Sequence, residues 1–225
     1  MSHIVRWTAA FVLALPGTVH FATGSPALAS PMPELSGVQA EAPVKTIEDG
    51  ALDEITLYTE AAPRAAPVYV ELFDASKADI GTGNEEEDEK AEADRMKAEA
   101  PRLIAQAIVD ALKETSSFPS VTLADEKGET RDGLVITGEV TALDPGSRKL
   151  RAFAGFGAGK STVAVKAAIK DAASGKVLAT FVHTHHGRGG WGGGDSIELM
   201  TGDSKNLGED IADFLHRWTT GDDID

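Results

Sequence analysis

An α+β fold, a mainly antiparallel sheet packed against two helices in one domain, is predicted by three features of the chain. Four strand-like segments follow one another between residues 121 and 185 with no helical pattern among them. Two of them, STVAVKAAIK (Ser161 to Lys170) and KVLATFVHTH (Lys176 to His185), flank DAASG, a short polar loop of hairpin type. Apolar residues at helical spacing occur only on either side of this block, so helices bracket the strands.

The first firm element is VYVELF, Val68 to Phe73, a strand bounded by Pro67 and Asp74. Next, NEEEDEKAEADRMKAEA, Asn84 to Ala100, is rich in helix formers, with its acidic residues gathered toward the N-terminal end where the helix dipole favours them. It reads as the solvated first half of a helix. Beyond Pro101, Leu103, Ile104, Ala107, Ile108, Ala111 and Leu112 fall on one stripe, which predicts a helix lying on a sheet. The strands VTLADE (Val121 to Glu126) and LVITGEVTAL (Leu134 to Leu143) precede the hairpin pair. A last helix is predicted from Leu207, Ile211, Leu215 and Trp218. The predicted order is β-α-β-β-β-β-α over residues 68–220, most simply with both helices on one face, and residues 221–225 form an acidic tail.

The N-terminus reads differently. MSHIVRW carries one cation at Arg6, Thr8 to Leu15 is a short apolar core, Pro16-Gly17 breaks it, and Ala27-Leu28-Ala29 supplies an A-x-A site. This is the layout of a cleavable signal peptide, residues 1–29, with Ser30 as the first mature residue and a periplasmic or secreted destination. The apolar run is too short for a transmembrane span, which takes about 20 residues. Residues 30–67 are Pro/Ala/Glu-rich and read as a linker or arm, with a short strand-like piece at Glu54 to Thr59. The chain has no Cys, so neither a disulfide nor a lipid-anchored cysteine is expected. Its net charge of -15 disfavours nucleic acid and anionic membrane surfaces as partners.

FAGFGAGKST, residues 153–162, has the look of a phosphate-binding P-loop, but two features argue against it. The first glycine of that motif would fall at Ala154, and the segment after Lys160 alternates like a strand where the motif needs a helix. No nucleotide is expected.

The stretch Thr137 to Phe181 instead resembles the bacterial envelope family called domain of unknown function 4410. The resemblance rests on Gly138 and Val140, Asp144, Gly146, Ser147, Arg148 and Arg151, then Gly155, Phe156, Gly157, Ala158, Gly159 and Lys160, and finally Asp171, Ser174, Gly175 and Lys176. It implies a fold similar to periplasmic α+β accessory domains, without catalytic residues. Many relatives are lipoproteins, from which this chain departs by lacking the Cys.

FVHTHHGRGGWGGGD places His183, His185 and His186 close to Asp195. On a strand His183 and His185 share a face, a spacing that suits Zn or Cu with His186 or Asp195 as third ligand. The neighbouring glycines and Arg188 argue for surface histidines at a strand end, so no metal and no other cofactor is expected. Trp191 in the glycine loop is either a partner anchor or a lid over the sheet edge. There is no Cys nucleophile, Gly-x-Ser-x-Gly elbow or His-Glu-x-x-His, and no catalytic residue is assigned. The expectation is a non-catalytic exported protein that contacts another envelope protein, the alternative being a small periplasmic metal-binding protein using His183, His185 and His186.

Overall fold

The computed structural model describes residues 42–48, 50–61, 63–80, 87–124, 132–144, 161–187 and 196–225. Its strands are β1 (Lys45–Glu48), β2 (Glu54–Leu57), β3 (Val68–Glu71), β4 (Val121–Ala124), β5 (Leu134–Asp144), β6 (Thr162–Asp171) and β7 (Val177–His186). The helices are α1 (Glu87–Thr115) and α2 (Ser196–Thr220). The predicted α+β class holds. Two short strands precede the predicted order, because the second half of the Pro/Ala/Glu-rich arm joins the sheet.

The sheet runs β1-β2-β7-β6-β5-β3-β4. β5, β6 and β7 form an antiparallel meander, and β2 adds antiparallel to the β7 edge. β3 pairs parallel with both β4 and β5. That is the outcome of a strand-helix-strand passage: after β3 the chain crosses over through α1 and returns in the same direction as β4.

The hairpin between β6 and β7 closes as its sequence predicts. Asp171 accepts from the Ser174 amide at 2.8 Å, and Gly175 takes a φ of 72°, which suits a residue without Cβ.

Both helices pack on each other and on one face of the sheet. α1 passes unbroken through Pro101 and buries Ile104, Ile108 and Leu112. α2 buries Leu207, Ile211, Phe214, Leu215 and Trp218, the stripe read from the sequence with Phe214 added. Phe214 meets Phe181 of β7 edge-on at 6.0 Å and stacks on Trp218 at 5.8 Å. The helices touch at Gly208, where a Cβ would lie 2.7 Å from the Ala107 carbonyl carbon, so only glycine permits this approach. No described helix is long and apolar enough to cross a membrane.

Candidate functional site

The alternation of β7 sends Phe181, His183 and His185 toward α2, since Cβ directions reverse at each strand residue. On α2, Asp203, Asn206, Asp210 and Phe214 are spaced three or four apart and share the face that looks back at β7. The two rows run antiparallel. Phe214 covers Phe181, Asp210 covers His183, and Asn206 covers His185. An apolar interface thus turns into a polar layer within one helical turn.

His183 is buried, with 9% of its surface exposed. Its Nε2 lies 3.0 Å from Asp210 Oδ2 and its Nδ1 3.3 Å from Asp53 Oδ1. Asp53 immediately precedes β2 and also accepts from the Thr184 amide at 2.8 Å. Each ring nitrogen of His183 thus faces a carboxylate oxygen within hydrogen-bond distance. His183 therefore ties the β1–β2 hairpin, β7 and α2 together. Asn206 Nδ2 donates to His185 Nε2 at 3.2 Å, which leaves the His185 proton on Nδ1, 3.7 Å from Asp210 Oδ2.

The histidines expected at the surface are therefore divided. His183 and His185 share a face as their spacing predicts, but that face lies beneath α2 rather than in solvent. His186 points the other way and pairs with Thr162 Oγ1 at 3.2 Å, so it is not a third ligand beside them. His216 bonds Ser117 on the turn after α1. Asp195, Arg188 and Trp191 lie outside the described residues. Both His183 nitrogens are directed at carboxylates, and among the described residues no three His, Cys, Asp or Glu side chains are grouped to hold a metal. Sequence reasoning missed Asp210, Asn206 and Asp53. Helical spacing from Phe214 would have found the first two, whereas nothing in the arm marks Asp53.

Beyond His185 the layer ends at Asp203, which is 5% exposed and whose Oδ2 has no hydrogen-bond partner among the described residues. Gly187 packs against it so closely that a Cβ there would lie 2.4 Å from Asp203 Oδ1 and 2.1 Å from Ser161 Oγ.

Most of the glycine and arginine block, from Gly146 to Lys160, lies outside the described residues. Past Lys160 the chain enters strand β6 and not a helix, so the amide-lined helix start that a P-loop needs is missing.

A second feature lies on the helix pair. Leu103, Ala107 and Ala111 of α1 floor a groove of about 340 Å³, walled by Gln106, Asp110 and Glu114 of α1 and by Thr201, Lys205 and Glu209 of α2. Lys205 pairs with Glu209 at 3.4 Å, and Asp110 accepts from Gln106 at 2.8 Å. No ion pair joins Asp110 or Glu114 to a cation among the described residues. The groove is an apolar slot with an acidic margin.

Taken together, these features define a single α+β domain whose mostly antiparallel sheet carries a helix pair on one face and a histidine layer beneath the second helix. The chain belongs to the family described as Domain of unknown function (DUF4410), whose model matches residues 68–190. Among solved structures it is similar to the PelC dodecamer from Paraburkholderia phytofirmans, at 14% identity and a TM-score of 0.42, covering 70% of this chain and 96% of that one. It is also similar to a Xanthomonas campestris protein of the DUF330 family, at 9% identity and a TM-score of 0.43, covering 72% and 91%. No curated protein matches the chain. The family segment contains His183 and His185, whereas Asp53 lies before it and Asn206 and Asp210 after it.

Proposed function

We propose that this is an exported protein of the bacterial envelope that works by binding another protein and not by catalysis. The groove between α1 and α2 carries this reading: it offers an apolar floor for an anchoring side chain and acidic walls for orienting a basic one. The histidine layer supports it from the other side, since its side chains are spent on internal partners that hold the helix pair in place. Export is supported by the layout of residues 1–29, and family membership agrees with an envelope location.

Two measurements test the proposal. Intact mass of protein recovered from the periplasmic or culture fraction should begin at Ser30, and full-length protein held in the cytoplasm would refute export. A photo-crosslinking residue at Leu103 should capture a discrete adduct in the envelope fraction, while one at Ser174, in the hairpin between β6 and β7, should not. Equal yields at both positions, or none at Leu103, would refute the groove as the binding face.

A further inference from the structure

We propose that the groove between α1 and α2 receives the segment Arg148 to Phe153 of a second copy of this chain, so that copies join head to tail. The inference deepens the reading that the chain works through protein contacts and rests on it.

The charge distribution makes the segment stand out. The chain has 36 acidic and 21 basic residues, and in RKLRAF alone do three cations fall within four positions, at Arg148, Lys149 and Arg151. Leu150 and Phe153 add two apolar side chains to the same stretch. Copies carrying a net charge of -15 repel one another at long range, so self-association requires a local cationic anchor, and this is where the sequence concentrates one.

The segment lies in the connection between β5 and β6, residues 145–161. β5 and β6 are antiparallel neighbours, which two to five residues suffice to join. Connections lengthened beyond that need are characteristically binding elements.

The groove offers the complement. Asp110 and Glu114 stand one helical turn apart on α1 and form no ion pair among the described residues, the Lys205 that lines the same groove being paired with Glu209, so both carboxylates are open to two adjacent basic side chains. Leu103, Ala107 and Ala111 give an aliphatic or aromatic side chain a floor, and about 340 Å³ lies within the range of sites that hold a side chain or small ligand. The two surfaces differ, so the contact is heterologous: each copy offers a segment to one neighbour and a groove to another.

Sedimentation velocity tests this on protein recovered after expression of the full chain. The wild type should associate with rising concentration and do so less at 500 mM than at 50 mM salt, because exposed charge pairs are screened. The triple variant Arg148→Glu, Lys149→Glu, Arg151→Glu and the double variant Asp110→Lys, Glu114→Lys should each weaken association about tenfold or more. A mixture of the two variants carries two matched contacts, the wild-type one between the double variant's segment and the triple variant's groove and one with both charges inverted, so it should form hetero-oligomers where neither variant alone associates. Equal far-UV spectra and melting temperatures would show that the variants remain folded. A wild type that stays monomeric to about 100 μM, or association indifferent to both reversals, would overturn the proposal. A monomer that nevertheless yields a Leu103 adduct with a different envelope protein would sink the second-copy inference and leave the broader reading standing. A monomer with no adduct would sink both.

Discussion

Replacing His183 with Ala should lower the stability of the fold by about 3 kcal/mol. The ring side chain is 11% exposed, and its two partners, Asp53 and Asp210, are 49% and 43% exposed. Contacts to carboxylates that are half in water are worth about 1 kcal/mol each once solvent screening is allowed for. Losing the burial of the imidazole costs about 1 kcal/mol more. For a domain of this size each kcal/mol moves the midpoint by about 2–4 °C, so the variant should melt about 6–12 °C below the wild type.

Urea unfolding gives the free energy, and a cycle with Asp210→Asn gives the coupling, expected above about 0.5 kcal/mol for residues in contact. Hydrogen exchange locates the damage. Because His183 and Thr184 hold Asp53, the amides of β2 should lose more protection than those of β6. A loss below about 1 kcal/mol, or one spread evenly over the sheet, would refute the assignment of His183 as the tie between hairpin, sheet and helix.

Lys160→Ala should leave nucleotide behaviour unchanged, because this residue leads into a strand; micromolar ATP binding abolished by the change would contradict that. Thermal melts with and without chelator should coincide, whereas a large drop reversed by Zn or Cu and absent in His183→Ala/His185→Ala would show a resident metal. The Asp171 carboxyl is held below 3.8 by the Ser174 hydroxyl and then the Ser174 amide, so its contribution is full above that pH and lost as pH falls through the lowered value; Ser174→Ala should cost under about 1 kcal/mol at pH 7, with the difference from wild type vanishing in acid. Asp203→Asn should leave the fold at least as stable, since Oδ2 is buried with no hydrogen-bond partner among the described residues and an amide there can donate, and a loss above about 1 kcal/mol in urea unfolding would show that this oxygen is compensated after all.

Much of the sheet was legible because its strands are long and their patterning is strong. TVAVKAAIKD and VLATFVHTHH each form a ten-residue strand within one position of the range their alternation predicts. The short strands were legible only in part, for a physical reason. EITL lies within the strand-like piece at Glu54 to Thr59, but KTIE was not legible, and the place of both in the sheet comes from pairing with one another and with the edge of β7, a tertiary effect with no local signature. Nor does a strand pattern state the direction of its neighbour, so the parallel placement of β3 beside β5 could not be read from VYVELF. The histidines show the same division: period-two alternation placed His183 and His185 on one face, but whether that face meets water depends on where α2 lies.

The polar layer also helps to determine where α2 lies. An apolar stripe alone fixes the rotation of a helix on a sheet better than its position along the axis, because a slip of one turn replaces one apolar contact with another. Here such a slip would bring Phe214 over His183 and Asp210 over His185, leaving the His183 Nε2 without its carboxylate at the centre of the interface. Leaving a buried polar group unpaired costs about 1–3 kcal/mol, enough to favour the observed register by a factor of roughly 5 to 150. The partners that impose this register, Asp53 on one side and Asp210 on the other, both lie outside the family segment of residues 68–190. In this chain the flanking β1–β2 hairpin and α2 are therefore what position the face of the helix pair that carries the groove, and a variant lacking Lys45 to Leu57 would expose the β7 edge and loosen that face together.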